Sequence, residues 1–394
     1  MIKKWIFILE LISILTVFSI TLHLPQQQSD TGNKKIIIFK KDVSNQEKEN
    51  ILNKYNIVKE KDLSLINGIA SNLTYSQVRA ILQEEKIERI EHDTDVKSSA
   101  ENPQSYTDSL KDENVTWGLD RVDALSSFLI TKGENVNIAI MDTGIDLSHT
   151  DLKNNIKGGF NAINSKKSYD DDNGHGTMLA GIIAAEMNDS GVLGVAPKSN
   201  IYAIKVLGSN GLGSLSNIIK GLKWAIDNKM DVVNLSLSIE TDSKALHEAI
   251  IKAVDANITI VASAGNQFGK SVGYPANYKE VISVSAINSK NQIPIFCPKG
   301  KIDIVAPGSD IYSTFRGSKY RVMSGTSLAS AYVTGVVALL LVVPEQCDFN
   351  QDGKSTPTEI KNRLESTAIN LGDTSKYGFG LVNAYNAVTF PIKK

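Results

Sequence analysis

From about Trp117 onward, short apolar runs alternate with segments of helical periodicity, and this alternation restricts the possible folds more than any other feature. The runs are nearly continuous, as is typical of strands that are covered on both faces. Strands that alternate with helices favour a parallel sheet. The sequence therefore predicts an α/β domain with a mainly parallel sheet. The predicted strands are NVNIAIMD, IYAIKVLG, DVVNLSLS, NITIVASAG, EVISVSA and KIDIVAPG, and the predicted helices are MLAGIIAAEM, SNIIKGLKWAIDN, KALHEAIIKAVDAN and the stretch after Ser327.

A smaller unit precedes this domain over residues 33–98. Runs rich in β-branched residues, such as KKIIIFKK, and segments of helical spacing, such as NQEKENILNKYN, follow one another in the order β-α-β-β-α-β. That order is typical of a ferredoxin-like α+β fold. The stretch over residues 99–113 is polar and lacks periodicity, so we interpret it as a linker. The larger domain is then expected to span residues 114–394.

Residues 1–27 have the order of a secretory signal: two lysines, a mostly apolar run over 6–24, and then polar residues. Glu10 interrupts the run, no small-x-small cleavage site is evident, and the run is long for a signal. An uncleaved membrane anchor is therefore the alternative. Both interpretations predict an exported protein. A third interpretation is that this segment is a buried helix of a cytosolic protein.

The composition excludes several classes of protein. The 394 residues are 42% apolar and 22% charged, which suits a large folded core and neither a disordered chain nor a multi-span membrane protein. A formal net charge of −1 argues against a nucleic-acid partner. Cys297 and Cys347 are too few for a disulfide scaffold, and we expect two free thiols rather than one bridge.

Four polar residues stand at predicted strand ends or helix starts of the larger domain. Asp142 ends a strand, His175 lies between two glycines before a helix, Asn266 follows a strand, and Ser327 begins a helix. Sites in such sheets form outside the carboxyl ends of the strands. Each residue alone has an ordinary explanation as a turn former, surface residue or helix cap. Together they supply a nucleophile, a base, a carboxylate that orients the base and an amide that donates to an oxyanion.

These residues lie in the motifs MDTGID, GHGT, SAGN and SGTSLA, and further shared stretches, such as GVLGVAP, GYPANY and YGFGLVNA, lie between and after them. On these motifs the chain resembles the subtilisin-like serine proteases, the subtilase family, over roughly residues 114–388. The resemblance implies a three-layer peptidase domain that cleaves polypeptides. It also implies a secreted, monomeric enzyme whose residues 33–98 act as an inhibitory propeptide and chaperone. Autocleavage is expected between Ser98 and Asp112.

The resemblance also assigns roles to the four residues. Ser327 would be the nucleophile, and His175 would take its proton and later return it to the leaving amine. Asp142 would orient His175. The Asn266 amide and the Ser327 backbone N–H would form the oxyanion hole.

The family binds peptide as an added strand between two segments. In this chain they would be Gly211-Leu212-Gly213 and Ser236-Leu237-Ser238. Leu215, Ile218 and Leu237 would line an apolar pocket for the fourth residue before the cut, although Leu215 and Ile218 are equally consistent with core-facing helix positions.

Three features depart from the family pattern or add to it. Ser238 replaces the usual glycine, which is expected to narrow the primary pocket and disfavour large aromatic residues. Ala331 replaces a usual proline. The acidic run over residues 170–172 is interpreted as a solvated loop, with selection of a basic residue beside the cut as the alternative. Ser238, Ala331 and the possible membrane anchor suit a rival function, a maturation protease that cuts one exported precursor. A non-catalytic peptide-binding relative is the rival from another class, and the intact triad argues against it.

By resemblance, Glu113, Asp151 and Asn188 match positions that hold a structural calcium ion in many family members. Loop carbonyls near Glu186, Ser190 and Val192 would complete the set, and such oxygen ligands suit a hard cation.

A second calcium signal comes from the sequence itself. DFNQDGKSTPTE places Asp348, Asn350, Asp352 and Glu359 at the spacing of ligands in an EF-hand-type loop. The stretch TPTE also fits a capping box with proline at the first helical position, which explains Glu359 without a metal. Both interpretations of this loop remain open.

Overall fold

The computed structural model describes residues 33–99 and 115–391. The predicted signal or anchor over 1–27 and nearly all of the predicted linker over 99–113 lie outside these residues, so both stay predictions, as do the domain boundaries. None of the helices in the described residues combines the length and the apolar character that a membrane crossing requires.

The first unit has the predicted β-α-β-β-α-β order. Its four strands form an antiparallel sheet in the spatial order β2-β3-β1-β4, and both helices begin with a capping box. The elements are β1 (Asn33–Phe39), α1 (Asn45–Lys54), β2 (Lys61–Leu63), β3 (Gly68–Leu73), α2 (Tyr75–Ile81) and β4 (Ile87–His92), with a 3-10 turn over Ser64–Ile66.

Strand β1 explains why KKIIIFKK is apolar at successive positions. Side chains alternate between the two faces of a strand. Ile37 and Phe39 belong to the cluster formed with α1 and α2, whereas Ile36 and Ile38 belong to a cluster of the larger domain. The sheet of the first unit is therefore covered on both faces, by its own helices and by the larger domain.

The remaining strands, in chain order, are β5 (Asp95–Ser98), β6 (Asn137–Asp142), β7 (Ile156–Asn161), β8 (Asn200–Lys205), β9 (Leu212–Ser214), β10 (Val232–Leu235), β11 (Leu237–Ser238), β12 (Thr259–Ser263), β13 (Ile282–Ile287), β14 (Ile304–Pro307), β15 (Ile311–Phe315) and β16 (Lys319–Met323). The remaining helices are α3 (Trp117–Arg121), α4 (Ala124–Ser127), α5 (His175–Ala184), α6 (Leu215–Asp227), α7 (Lys244–Asp255), α8 (Thr326–Val342), α9 (Pro357–Thr367), α10 (Thr374–Tyr377) and α11 (Ala384–Thr389), with a second 3-10 turn over Pro344–Gln346.

Seven strands form one parallel sheet in the order β14-β13-β12-β10-β6-β8-β7. Alternate residues of β6 enter two apolar clusters: Ile138 and Ile140 pack in the cluster that contains α5 and α8, and Ala139 and Met141 in the cluster that contains α6 and α7. Helices therefore cover both faces, and the predicted α/β fold with a mainly parallel sheet is confirmed.

All six predicted strands belong to this sheet, and the seventh, β7, was not predicted. Its sequence IKGGFN carries two glycines and lacks the continuous apolar run of the others, as its position at the sheet edge allows. Cys297 and Cys347 are buried and unpaired, so the expectation of free thiols is confirmed.

Candidate active site

Asp142 and His175 form a buried pair at the carboxyl end of the sheet. Asp142 is the last residue of β6, and His175 is the first residue of α5. His175 Nδ1 lies 2.6 Å from Asp142 Oδ1. His175 Nε2 is buried and makes no hydrogen bond to any described residue. The imidazole is therefore oriented through one nitrogen while the other is available for proton transfer.

The pKa of His175 is raised above its ordinary value. Burial acts to lower this pKa, but the charge of Asp142, the hydrogen bond between the two side chains and the charge of Asp171 act in the opposite direction and prevail. The carboxylates thus stabilise the imidazolium, which is the form that a general base reaches when it has taken a proton.

Asp171 organises the turn that precedes His175. Its carboxylate accepts hydrogen bonds from Thr143 Oγ1 at 2.9 Å and from backbone and side-chain groups within residues 173–177. Asp171 is buried, and Asp172 forms an ion pair with Lys205 at 2.6 Å. The interpretation of the acidic run as a solvated loop is therefore wrong for Asp171, which satisfies the N–H groups at the start of α5.

Ser327 is the second residue of α8, where backbone N–H groups lack partners within the helix. Its Oγ donates a hydrogen bond to the carbonyl oxygen of Ser236 at 3.1 Å. Its backbone N–H donates to the carbonyl oxygen of Ser99 at 3.2 Å. The Ser327 hydroxyl is not hydrogen-bonded to His175 in this structure, so a role as nucleophile would require it to change partner.

A buried polar network fixes the start of α8 against β10. Ser236 Oγ donates to Asn234 Oδ1 at 2.9 Å, and Asn234 Nδ2 donates to Thr334 Oγ1 at 2.9 Å. Ser330 Oγ donates to the carbonyl oxygen of Ser327 at 2.8 Å. Asn234, Ser330 and Thr334 were not predicted from the sequence to belong to the site. For Asn234 the available signal was a polar residue inside the apolar run DVVNLSLS.

Asn266 lies next to the start of α8 with its amide nitrogen available. Its Oδ1 accepts hydrogen bonds from Thr326 N at 3.1 Å and from Thr326 Oγ1 at 3.0 Å. Its Nδ2 is buried and has no hydrogen-bond partner among the described residues. A buried, unsatisfied donor is costly unless function uses it, so this amide suits the binding of a developing oxyanion.

The cleft beside these residues contains a strand of the chain itself. β5 lies between β9 and β11 in a three-stranded antiparallel sheet. The segments Gly211-Leu212-Gly213 and Ser236-Leu237-Ser238, which the sequence assigned to substrate binding, thus flank residues 95–99. Ser99 N donates to Ser236 O at 3.1 Å, and Ser98 N donates to Gly211 O at 3.1 Å. A peptide is thus bound here by strand addition.

Val96 is buried in the same apolar cluster as Leu215, Ile218 and Leu237, the residues predicted to line the pocket for the fourth residue before the cut. If the cut follows Ser99, Val96 is that fourth residue. Leu215 and Ile218 are themselves buried on α6, so their role in this pocket stays a prediction.

The first unit also contacts the helices that flank the cleft. Asp93 accepts hydrogen bonds from Ser216 N at 2.8 Å and Ser216 Oγ at 2.7 Å at the start of α6. Glu91 accepts from Ser243 Oγ at 2.8 Å and Ala245 N at 3.1 Å at the start of α7. Carboxylates from the first unit thus cap two helices of the larger domain, where the helix dipole favours negative charge.

Among the residues proposed for the first calcium site, Asp151 and Asn188 come together and Glu113 lies outside the described residues. Asp151 is fully buried, and its carboxylate accepts from three neutral donors: Asn188 Nδ2 at 3.2 Å, Val192 N at 2.9 Å and Tyr320 OH at 2.9 Å. A buried carboxylate with neutral partners suits a hard cation. Asn188 currently presents its nitrogen, so it would have to turn to become a ligand.

In the loop 348–359, the side-chain oxygens bind the loop's own backbone. Asp348 accepts hydrogen bonds from the N–H groups of Asp352 and Gly353, at 2.9 and 2.8 Å. Glu359 accepts from Thr356 N at 3.0 Å and Thr356 Oγ1 at 2.8 Å, and so forms the capping box of α9. Asn350 Oδ1 also accepts from Asp352 N.

Across residues 33–99 and 115–391 no three His, Cys, Asp or Glu side chains converge as a metal site. An ion at the loop 348–359 therefore stays a prediction, and Glu359 already uses Oε2 to cap α9.

A family model described as the Subtilase family matches residues 133–380. Subtilisin E of Bacillus subtilis (strain 168) is 36% identical over 398 residues, which cover 98% of each chain. Subtilisin of Bacillus pumilus is 44% identical over 283 residues, covering 70% of this chain and 99% of that protein. M-protease of Shouchella clausii (strain KSM-K16) is 39% identical over 325 residues, covering 82% of this chain and 80% of that protein. The chain therefore belongs to the subtilase family, as the motifs predicted, and is a serine endopeptidase.

Proposed function

We propose that this endopeptidase works through Asp142, His175 and Ser327 and that it is a secreted precursor that cuts its own chain. Ser327 Oγ attacks the peptide carbonyl, and His175 Nε2 takes its proton and returns it to the leaving amine. Asp142 keeps the imidazole in the correct tautomer. Asn266 Nδ2 and the Ser327 N–H bind the oxyanion, and loss of one such donor typically costs about a hundredfold to a thousandfold in turnover.

One observation carries the autoprocessing part of this proposal. The carbonyl oxygen of Ser99 accepts a hydrogen bond from Ser327 N at 3.2 Å, while β5 is held as a substrate strand between β9 and β11. The carbonyl carbon of Ser99 is thus presented to the nucleophile. The bond cut is then Ser99–Ala100, which lies within the interval expected from the sequence.

After the cut, residues 33–99 would remain in the cleft as an inhibitor until they dissociate. Their contacts support this role, because β5 occupies the cleft and the carboxylates of Glu91 and Asp93 cap two helices of the larger domain. Calcium would be held by Asp151 and Asn188 with oxygens near them, and it would stabilise the fold rather than take part in the reaction. We propose a monomer that acts outside the cell.

The test is intact mass spectrometry of the precursor without residues 1–30, followed over time with calcium present. We expect the wild-type chain to end as a species that begins at Ala100, and the Ser327→Ala chain to stay full length. A folded wild-type precursor that never loses its first unit would contradict autoprocessing. The same Ser327→Ala variant, if it matured at the same rate as wild type, would contradict the assignment of the nucleophile.

A narrower function, cleavage of one exported precursor, is the second candidate. The buried Ser238 favours it, because a side chain at this position is expected to narrow the primary pocket, and a pocket that admits few side chains restricts the number of protein substrates. A peptide library separates the two: one sharp recognition sequence supports the narrow function, and broad cleavage after many residues supports a general endopeptidase.

A further inference from the structure

We propose that Ser238 and Gln267 form a short, polar primary pocket that admits only small residues before the cut and favours serine. This inference rests on the proposed function, because it takes Ser99 as the residue whose carbonyl is attacked. In that position the Ser99 side chain marks the primary pocket.

The Ser99 side chain meets a polar floor. Its Oγ donates a long hydrogen bond to Ser238 Oγ at 3.3 Å, and both residues are buried. Gln267 Nε2 donates to the same Ser238 Oγ at 3.1 Å. Ser238 therefore bridges the bound serine and the Gln267 amide, and the pocket ends one side-chain group beyond Ser99.

The Gln267 amide fills the space in which a larger side chain would lie. A methyl group added at Gly265 would stand 2.2 Å from Gln267 Oε1, and one added at Gly273 would stand 3.0 Å from Gln267 Nε2 and 2.9 Å from Ser238 Cβ. The amide is thus in close contact with the backbone at both glycines and with Ser238. An aromatic ring would have to displace the amide from this position, at a cost typical of overpacking.

The chemistry of the floor distinguishes serine from alanine. The Ser99 hydroxyl donates to Ser238 Oγ and not to Gln267 Oε1, which is buried and accepts no hydrogen bond from any described residue. A serine in the pocket therefore makes a hydrogen bond to Ser238 that an alanine cannot make. One such hydrogen bond favours serine over alanine by about fivefold. The pocket therefore selects by size first and by hydrogen bonding second.

The experiment uses the mature enzyme and peptide anilides of the sequence Val-Lys-Ser-X, which copies residues 96–98, with X as Ser, Ala, Leu or Phe. We expect kcat/KM for Ser and Ala to exceed that for Phe by at least about thirtyfold, and Ser to exceed Ala by about fivefold. Ser238→Gly should raise kcat/KM for Phe at least about tenfold. Ser238→Ala, which keeps the Cβ but removes the hydroxyl that accepts from the bound serine, should abolish the preference for Ser over Ala.

A second measurement uses the precursor in place of peptides. Ser99→Phe should slow the appearance of the mature chain by at least about tenfold, Ser99→Ala should not, and Ser238→Gly should restore the rate of the Ser99→Phe chain. As a control, replacing Val by Ala at the fourth position should lower kcat/KM by the same factor in wild type and in Ser238→Gly.

Labelling of Ser327 by a sulfonyl fluoride separates the two proposals. A fully labelled enzyme that prefers Phe, or in which Ser238→Gly leaves the Phe rate unchanged, overturns the pocket inference alone. An enzyme that is folded, unlabelled and inactive on every peptide overturns the proposed function and the inference with it.

Discussion

At the scale of single residues, His175 is controlled by two carboxylates with different tasks. Asp142 contacts the ring directly, and Asp171 acts through its charge while it accepts hydrogen bonds from the turn before α5. Both raise the pKa of His175 against the effect of burial. Because a general base must be neutral to act, a raised pKa moves the onset of activity to higher pH.

We therefore expect the acid limb of the kcat/KM profile to lie above pH 6.5, the ordinary value for histidine. Asp171→Asn removes one charge that raises the pKa, so the limb should move to lower pH. The measurement is a pH profile of kcat/KM on a peptide substrate, read as the position of the limb rather than the maximal rate. Asp170→Asn, in an exposed residue one position earlier, is the control. A limb that stays in place or moves upward in Asp171→Asn would contradict this account.

At the scale of elements, the contact between the first unit and the larger domain depends on two helix starts. The charge of a carboxylate at such a position is favoured by the helix dipole and by the N–H groups that lack partners. Asp93 supplies this charge to α6, and Glu91 supplies it to α7. An amide in place of either carboxylate keeps the shape and loses the charge.

Asp93→Asn and Glu91→Gln should each weaken the hold of the cleaved first unit by roughly 1 kcal/mol, or about fivefold in its dissociation constant. The readout is the delay between the cut, followed by mass, and the appearance of peptidase activity, which should shorten in both variants. Glu49→Gln changes an exposed carboxylate of the same unit that pairs with Lys59 and should leave the delay unchanged. Equal delays in all four proteins would show that the caps do not hold the unit.

The loop between β6 and β7 carries Asp151, which is proposed to bind calcium and whose buried carboxylate accepts hydrogen bonds from three neutral donors. We expect calcium at about a hundred times its Kd to stabilise the mature enzyme by about 2.7 kcal/mol, seen as a higher Tm than in chelator. Asp151→Asn should remove most of this shift, whereas Asp348→Asn should retain it, because Asp348 binds loop N–H groups. If Asp348→Asn alone removes the shift, the loop 348–359 is the calcium site.

At the scale of the whole molecule, the sequence predicts features that a local pattern of residues encodes. It does not predict features that arise only when distant segments of the chain meet. The six strands were predicted because a strand that is buried on both faces has a nearly continuous apolar sequence. β7 was not predicted because it is an edge strand with two glycines and lacks such a sequence. The placement of Asp142, His175, Asn266 and Ser327 at strand ends and helix starts follows from their local sequences.

The contacts within the cleft arise between distant segments, so the sequence did not predict them. β5 is four residues long and pairs with segments more than a hundred residues away. Its local sequence, DVKS, therefore does not predict its position in the cleft. In the stretch SAGNQF, Gln267 is indistinguishable from an ordinary loop residue. Its proposed role in the primary pocket depends on contacts with Gly265, Gly273 and Ser238 that only the folded chain creates. The buried role of Asp171 likewise depends on the N–H groups that the folded turn directs at it.

The tethering of β5 in the cleft has a kinetic consequence. The strand is part of the same polypeptide as the segments β9 and β11 that hold it, so its binding does not depend on how dilute the protein is. Covalent attachment through a linker typically gives a segment an effective concentration of about a millimolar. An outside peptide must reach that level before it competes for the cleft, so under the proposed autoprocessing the first bond that each molecule cuts is in its own chain.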